Sequence, residues 1–329
     1  MSDPIEIGVI GCGGIAGKHI DTFLNRPDTE IVGLMDPNSN SLSRTVTRFP
    51  GAQDVPQFDN HNELIAEAGP DAVVICSPHN VHFQQIMDSL DAGLDVLTEK
   101  PMVCSIEHAR EVMKKEEETG RTVAIAYQRH CQGQFQYIRN SISNGDAGEV
   151  KYISALQAQA WLYLTEGTWR QNMEMSCGGQ LNDSGSHLID IILWMTGLEV
   201  EEVCASIDNC GTEVDIDSAL EMTFKNGALG TLSVIGSYPA SGMYEDITII
   251  CENWSFFLRQ GELMVKTGLN GEQHRIDEFQ YGSPSPADNF IDALHGEAEV
   301  VAPSVCGLRT IELTEAAWKS AEQGQPVQV

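Results

Sequence analysis

Two short motifs in this chain combine residue types that suit chemistry on a substrate held beside a bound nucleotide. Gly11-Cys12-Gly13-Gly14-Ile15-Ala16 follows an apolar run at 5–10. A glycine turn between a strand and a helix accepts a pyrophosphate, because its N–H groups and the helix dipole face the anion. Glu99-Lys100-Pro101 follows a second apolar run, and a lysine at such a strand end can reach a substrate beside the nucleotide. Together the motifs predict redox chemistry on a nicotinamide.

Asp36 is the second nucleotide signal, because it ends the next predicted strand about twenty residues after the glycine turn. Its carboxylate would accept hydrogen bonds from the ribose 2′- and 3′-hydroxyls. The residues at 37–40 bring no cation, and Arg44 is the nearest one. A 2′-phosphate would therefore meet a carboxylate, so we expect NAD rather than NADP. The alternative is a glycine turn without a cofactor, which the strand–turn–helix context disfavours.

Asp183 and His187 are spaced four residues apart at the start of a predicted helix, 184–196. This spacing places both on one helix face. An imidazole titrates near neutrality and a neighbouring carboxylate fixes its orientation, which suits a positioned acid–base group. A packed or capping histidine is the alternative. Both residue types also bind metals, but no third ligand lies at a suggestive spacing, so we predict no metal site.

Other polar and aromatic residues follow predicted strand ends or flank Asp183. Aromatic faces and several hydrogen-bond donors suit a sugar or polyol, whereas core packing and ion pairing are the alternatives. The predicted substrate contacts are Arg129, His130, Trp161, Trp169, Arg170 and Asn182. The predicted cofactor contacts are Gly11, Gly13, Gly14, Ile15, Asp36, Ser77, Pro78, His79, His82, Glu99, Lys100 and Gln128.

The first part of the chain, residues 1–125, alternates β runs with helical patterns. This alternation predicts an α/β fold in which a doubly wound parallel sheet has helices on both faces. Its Val/Ile/Leu-rich strands suit burial on both sides. We predict strands at 5–10, 30–36, 72–76, 95–99 and 122–127, and helices at 14–25, 39–49, 61–68, 80–92 and 105–119.

Residues 126–329 have a different pattern and predict a second, substrate-binding domain. Longer runs alternate apolar and polar residues, which favours a large, mainly antiparallel open sheet with one exposed face. Ser-Pro-Ser-Pro at 283–286 predicts a short linker. We expect strands at 150–161, 202–209, 218–225, 228–237, 246–251 and 254–258, and helices at 131–144, 184–196, 286–295 and 304–323.

Composition narrows the class of partner. The chain has 48 acidic and 19 basic residues and a net charge of −29, which disfavours nucleic acid and anionic membranes. No apolar stretch is long enough to span a membrane. Nine cysteines without a CxxC pair suit reduced thiols, so we expect a cytoplasmic enzyme. Adaptation to a saline cytoplasm is an alternative explanation of the acidity.

Four segments occur in an order that resembles a known family. They are the glycine turn 11–16, Ser77-Pro78 with His82, Glu99-Lys100-Pro101, and GGQLNDSGSH at 178–187. The chain resembles the glucose–fructose oxidoreductase / inositol dehydrogenase / rhizopine catabolism (Gfo/Idh/MocA) family over nearly its whole length. The resemblance implies an N-terminal Rossmann domain and a C-terminal α/β domain that forms homodimers or homotetramers through its sheet. It also implies NAD(P)-dependent oxidation or reduction of sugars, polyols and their derivatives.

The resemblance also assigns catalytic residues. The family's lysine maps onto Lys100, and its aspartate and histidine map onto Asp183 and His187. We expect His187 to take a hydroxyl proton, Lys100 to stabilise the developing alkoxide, and Asp183 to hold the substrate or the imidazole. Two departures leave the contacts on the nicotinamide side open: His79 stands where the family often has Asn, and Cys177 precedes the glycine pair.

Two other functions are compatible with the same fold. One is a glycosidase that oxidises its substrate transiently with a tightly held NAD. The other is a non-catalytic regulator that senses the dinucleotide. The intact set of Lys100, Asp183 and His187 disfavours the regulator, and so does the lack of a basic patch.

Overall fold

The computed structural model describes residues 3–277, 279 and 284–329. The chain forms two compact units. The first contains Met1–Tyr127 and Ser283–Gly307, and the second contains Gln128–Gly282 and Leu308–Val329. The first unit thus includes a segment that the sequence assigned to the second domain. Ser283, the first residue of the predicted linker, lies outside the described residues.

The first unit contains a six-stranded parallel sheet with the strand order β3-β2-β1-β4-β5-β6. All five predicted strands are confirmed to within about two residues at each end, the scatter expected of boundary assignments. Two-residue β3 was missed, because it is too short for a periodic pattern. The strands are β1 Ile5–Ile10, β2 Thr29–Met35, β3 Gln57–Phe58, β4 Ala72–Ile75, β5 Asp95–Thr98 and β6 Val123–Ile125.

Helices connect these strands, and several of them begin at residues whose side chains accept a backbone N–H of the first turn. The Asn60 side chain accepts a hydrogen bond from the Glu63 N–H at 2.9 Å, and Ser105 Oγ accepts one from the His108 N–H at 3.2 Å. The predicted helix 61–68 is a short α-helix followed by a π-helical turn at 64–68. The helices are α1 Ala16–Asn25, α2 Ser39–Arg48, α3 His61–Glu63, α4 His79–Asp91 and α5 Ile106–Thr119.

The second unit contains a nine-stranded sheet with the order β14-β13-β12-β11-β7-β10-β9-β8-β15. Only β7 and β10 are parallel, so the mainly antiparallel prediction is confirmed. Burial alternates along β9 and β10, as expected of a sheet with one packed face. The strands are β7 Val150–Gln159, β8 Val200–Asp208, β9 Asp217–Phe224, β10 Leu229–Ile235, β11 Met243–Cys251, β12 Trp254–Arg259, β13 Glu262–Thr267, β14 Gln273–Ile276 and β15 Val327–Gln328.

Four helices of the second unit precede or interrupt this sheet: α6 Gly133–Ser143, α7 Trp161–Leu164, α8 Met173–Ser176 and α9 Gly185–Thr196. Helix α9 packs against α6 and β7, and its apolar residues are buried around most of its circumference. The predicted helix 184–196 is confirmed to within one residue, with Ser184 as the N-cap of α9. Strand β7 ends before Trp161, which begins α7, and β11 begins three residues earlier than predicted. Strands β13, β14 and β15 were not predicted.

Two C-terminal helices, α10 Pro286–Leu294 and α11 Ser304–Gln323, complete the fold. Ser285 caps α10, since its side chain accepts the Asp288 N–H at 3.1 Å, and Pro286 fills the first turn. Phe290 and Ile291 are fully buried with β1 and α1 residues, which explains why this segment belongs to the first unit. Within the described residues, no helix is long and apolar enough to cross a membrane.

The Phe290→Ala variant tests this assignment. Removing a fully buried aromatic ring is expected to lower the free energy of unfolding by about 3–5 kcal/mol. Urea unfolding with amide hydrogen exchange measures the loss and locates it, and we expect β1 and α1 to lose protection. The control Leu269→Ala removes a side chain that is 92% exposed and should change stability by less than about 0.5 kcal/mol. Loss of protection in β8 and β9 instead would contradict the assignment.

Candidate active site

The glycine turn after β1 has the geometry of an anion cradle. Gly11 has a φ of +90°, and a Cβ there would lie 2.7 Å from the Cys76 carbonyl carbon and the Ser77 nitrogen. Only glycine fits this crossing of the two strand ends. A Cβ at Gly13 or Gly14 would meet nothing within 4 Å. No side chain caps the N-terminus of α1, so no side-chain acceptor competes there with an anion such as a pyrophosphate.

Asp36 is fixed beside this turn by two backbone donors. Its Oδ2 accepts a hydrogen bond from the Cys12 N–H at 2.9 Å, and its Oδ1 accepts one from the Asn38 N–H at 2.8 Å. A carboxylate oxygen can accept two hydrogen bonds, so each oxygen keeps capacity for a ribose hydroxyl. The structure therefore places Asp36 where the sequence predicts it, next to the glycine turn.

The segment after β4 contains two buried histidines. His82 directs Nδ1 at the Pro101 carbonyl oxygen, at 2.9 Å, and Nε2 at the Ser77 carbonyl oxygen, at 3.0 Å. Burial lowers the pKa of His82, although these two carbonyls oppose the change. The His82 ring thus links two strand-end loops, which is the packing role and not a cofactor contact. His79 is also buried, with its ring edge towards His82, and Pro78 is the residue before α4.

Glu99 and Lys100 follow β5, and the Glu99 side chain faces inward. Its Oε1 lies 3.0 Å from His19 Nε2 in α1, and its Oε2 accepts the Lys100 N–H at 3.3 Å. Burial raises the pKa of Glu99, but His19 and Lys100 outweigh burial and leave that pKa below its usual value. Glu99 is therefore a support for the lysine backbone, and sequence reasoning missed its partner His19. The Lys100 side chain is half-buried.

Two predicted residues of the second unit donate hydrogen bonds to the predicted carboxylate of Asp183, and a third stacks on one of them. Asp183 is buried, and its Oδ2 accepts hydrogen bonds from Trp161 Nε1 at 2.9 Å and from Arg170 Nε at 3.0 Å. The Arg170 guanidinium also lies over the Trp169 ring, 4.5 Å from its centroid. The Arg170 side chain is 37% exposed. Asp183, Trp161, Trp169 and Arg170 thus form a preorganised polar and aromatic cluster.

His187 lies in the first turn of α9, half-buried. Its carbonyl oxygen accepts a hydrogen bond from Arg129 Nη1 at 3.4 Å. Arg129 Nη2 bonds Gln157 Oε1 at 3.1 Å and pairs with the buried Glu245 carboxylate. Burial lowers the pKa of Arg129 and raises that of Glu245, and their mutual attraction opposes both shifts. The prediction of Arg129 as a substrate contact is thus replaced by an internal role beneath His187.

Two more predicted substrate contacts are buried. His130 is fully buried, with Nε2 at 2.7 Å from Asp190 Oδ2 and its ring against Trp194. Asn182 is buried, and its Nδ2 donates to the Ser176 carbonyl at 3.4 Å. Neither side chain is presented to solvent, since His130 is fully buried and Asn182 is 1% exposed. Gln128, by contrast, is exposed at the start of the same 3₁₀ turn, Gln128–Cys131.

The three predicted catalytic residues are divided between the units. Lys100 belongs to the first unit, and Asp183 and His187 belong to the second. Asp183 precedes the N-cap of α9, and His187 lies in the first turn of that helix. The supporting residues His19, Gln157 and Glu245 gave no sequence signal, because their partners lie 28 to 116 positions away in the chain.

The Glu99→Gln variant tests the buried support of the lysine. We expect the free energy of unfolding to fall by about 1–3 kcal/mol at pH 7, because a charge-assisted bond to His19 is lost. The folded pKa of Glu99 is below the unfolded one, so its stabilisation is complete above about pH 4.3 and disappears as pH falls through the depressed pKa. The gap between wild type and variant in urea titrations should therefore close at low pH.

The control for this experiment is Glu30→Gln, which changes an exposed glutamate of β2. Its stability should match the wild type at every pH. The difference in free energy of unfolding between wild type and Glu99→Gln could instead persist unchanged to about pH 2, below the ordinary carboxyl pKa. That result would show that the carboxylate charge is not what stabilises the Glu99–His19 pair.

Two family models match this chain. Residues 5–127 match the oxidoreductase family with an NAD-binding Rossmann fold, GFO_IDH_MocA. Residues 135–256 match the GFO/IDH/MocA C-terminal domain. The two matches follow one another in the order expected from the sequence resemblance.

Two named relatives are similar in sequence to this chain over its full length. The chain is 24% identical to the D-glucoside 3-dehydrogenase of Escherichia coli (strain K12), over 100% of this chain and 98% of that relative. It is 26% identical to an inositol 2-dehydrogenase of Rubrobacter xylanophilus, over 100% and 94%. The fold is similar to that of the WlbA dehydrogenase from Bordetella pertussis in complex with NADH and UDP-GlcNAcA, with a TM-score of 0.84, 24% identity and 99% coverage of both chains. This protein belongs to the Gfo/Idh/MocA family of NAD-binding oxidoreductases.

Proposed function

We propose that this enzyme is an NAD-dependent dehydrogenase that oxidises a secondary alcohol of a sugar, polyol or sugar derivative. The observation that carries the proposal is the cluster in which Trp161 and Arg170 hold the Asp183 carboxylate. Aromatic rings and charged hydrogen-bonding groups suit a hydroxylated ring. The two curated relatives support the substrate class, because each is named for oxidation of a glucoside or an inositol.

The residues of the first unit are proposed to hold the dinucleotide. The N–H groups of the turn at Gly13 and Gly14 bind the pyrophosphate, and Asp36 binds the ribose hydroxyls. When bound, the nicotinamide ring supplies the hydride acceptor. The fit rests on the open space at the two glycines and on the uncapped α1 N-terminus.

We propose a catalytic role for each of Lys100, Asp183 and His187. His187 accepts the hydroxyl proton while the carbon gives up its hydride, so that the alcohol becomes a carbonyl. The Lys100 ammonium stabilises the negative charge that develops on the oxygen. Asp183 orients the substrate, and the partly exposed Arg170, stacked on Trp169, contacts a neighbouring hydroxyl.

The oligomeric state and the compartment stay predictions. We propose a homodimer or homotetramer that pairs through the open face of the nine-stranded sheet. We also propose a cytoplasmic location, which is consistent with nine cysteines that form no disulfide among the described residues.

The first test is NADH formation by purified protein with NAD, against inositols, aldoses, glucosides, sugar acids and amino sugars. We expect turnover with at least one ring polyol or sugar. Lys100→Ala should lower kcat by about 10²-fold or more, because charge stabilisation at the reacting oxygen is lost. The control Lys114→Ala, at an exposed lysine of α5, should behave like the wild type.

Near-normal turnover of Lys100→Ala would exclude the role of the lysine. Lack of turnover across the panel would favour a different function, such as transient oxidation with a tightly held dinucleotide. Mass spectrometry of the denatured protein would then detect the retained NAD.

The cofactor preference is tested by binding of NADH and NADPH, measured by fluorescence titration. Asp36→Ser should weaken NADH binding about 10-fold, since hydrogen bonds to a charged group are lost, and should narrow the discrimination against NADPH. Asp21→Ser, at an exposed aspartate of α1, is the control. Equal affinity of the wild type for both dinucleotides would contradict the proposed NAD preference.

A further inference from the structure

Three consecutive backbone amides precede Asp183, and one residue accepts all three. The Asp215 side chain accepts the Gly179 N–H through Oδ1 at 2.8 Å and the Leu181 N–H through Oδ2 at 2.7 Å. The Asp215 carbonyl oxygen accepts the N–H of Gln180, between them, at 2.8 Å. Asp215 is 5% exposed and lies just before β9. It therefore fixes the path of the loop 178–182.

A second residue completes this arrangement. Trp318, in α11, donates its indole N–H to Asp215 Oδ1 at 3.0 Å. Its ring also lies over the first glycine of the loop, since a Cβ on Gly178 would be 2.4 Å from that ring. We call Asp215 and Trp318 the loop clamp.

The clamp explains the glycine pair of the GGQLND motif. Gly178 has a φ of +144°, outside the conformations that other residues adopt readily. A Cβ on Gly179 would lie 1.8 Å from the Asp215 carbonyl oxygen. Neither position tolerates a side chain, because Asp215 and Trp318 occupy that space.

The clamped loop leads directly to the proposed catalytic residues. The Asp183 N–H donates to the Gly179 carbonyl at 3.0 Å, and the Gly185 N–H donates to the Gln180 carbonyl at 2.8 Å. Ser186 Oγ donates to the Asp183 carbonyl at 2.7 Å. The first turn of α9, which carries His187, is thereby joined to the same backbone that Asp215 holds.

We propose that the Asp215–Trp318 clamp is a positioning device that sets Asp183 and His187 for the reaction. This inference rests on the proposed function of those two residues. Asp215 is not a catalytic residue, because its carboxylate is taken up by the three donors Gly179, Leu181 and Trp318. Burial raises the pKa of Asp215, and those donors oppose the rise.

Amide hydrogen exchange of residues 179–187 in the full chain tests the clamp without any substrate. Asp215→Asn should raise the exchange rate in this segment about 10-fold or more. The side-chain NH₂ of the asparagine cannot accept a hydrogen bond, so one backbone N–H of the loop loses its acceptor. Trp318→Phe removes one hydrogen bond and should raise it by a smaller factor. The second variant decides the question if Asp215→Asn does not fold.

The matched control is Asp217→Asn. The Asp217 side chain also accepts two backbone N–H groups, but these are Gly236 and Ser237, at 2.8 and 3.0 Å. We expect this variant to loosen 236–237 and to raise exchange in 179–187 by a smaller factor than Asp215→Asn, because its acceptor reaches the loop indirectly, through the Ile235 carbonyl that accepts Gln180 Nε2 at 3.4 Å. Unchanged exchange in both clamp variants, or the same rise in Asp217→Asn, would overturn the proposal.

Kinetics separates positioning from general destabilisation. With a substrate found in the NADH screen, Trp318→Phe should lower kcat while the KM for NAD stays unchanged, because the proposed dinucleotide contacts lie in the first unit. A parallel loss of NAD binding would indicate a merely structural role and overturn the inference. If the wild type turns over no substrate, the proposed function fails, and hydrogen exchange still decides whether the clamp exists.

Discussion

The close approach of Gly11 to the Cys76–Ser77 backbone is the constraint on which the proposed dinucleotide site depends. At this crossing the ends of β1 and β4 leave no room for a Cβ. The chain can therefore turn sharply and start α1 with its N–H groups uncovered. His19, one turn further along α1, then meets Glu99 at the end of β5. Gly11 thus permits the turn into α1. His19 of that helix then bonds Glu99, which accepts the Lys100 N–H.

Buried acids in this strongly acidic chain are each matched by donors. Glu99 faces a histidine, Glu245 faces Arg129, and Asp183 faces Trp161 and Arg170. Burying a carboxylate without such partners would lower the free energy of unfolding by roughly 1–3 kcal/mol or more for each oxygen left without a donor. Since few basic residues are present, most of the remaining acids lie at the surface, where water solvates them. Not every such donor is a cation, since the buried Asp215 carboxylate accepts two backbone N–H groups and an indole N–H.

The sequence predicted the elements better than the side-chain partners. Strands and helices follow from local periodicity, and Gly120 ends α5 with a φ of +65°, a backbone conformation that glycine favours. Arg129 and His130 follow a strand end, which predicts substrate contacts. Their partners Glu245 and Asp190 lie far along the chain, and no local pattern reveals such pairs. The predicted strand 150–161 wrongly includes Trp161. The strand ends at Gln159, and Trp161 begins α7, from which its indole N–H bonds Asp183.

Cys12 shows how the local environment shapes the proposed cofactor preference. It lies inside the glycine turn, where a thiolate would repel a pyrophosphate. Burial raises the pKa of Cys12 to about 12, and the Asp36 charge adds to that rise. The thiol therefore stays neutral at physiological pH, and Asp36 is the acid that faces this turn through the Cys12 N–H. The Asp36 charge lies just after β2 and reaches the turn through this one N–H, and the proposed preference for NAD over NADP rests on that charge.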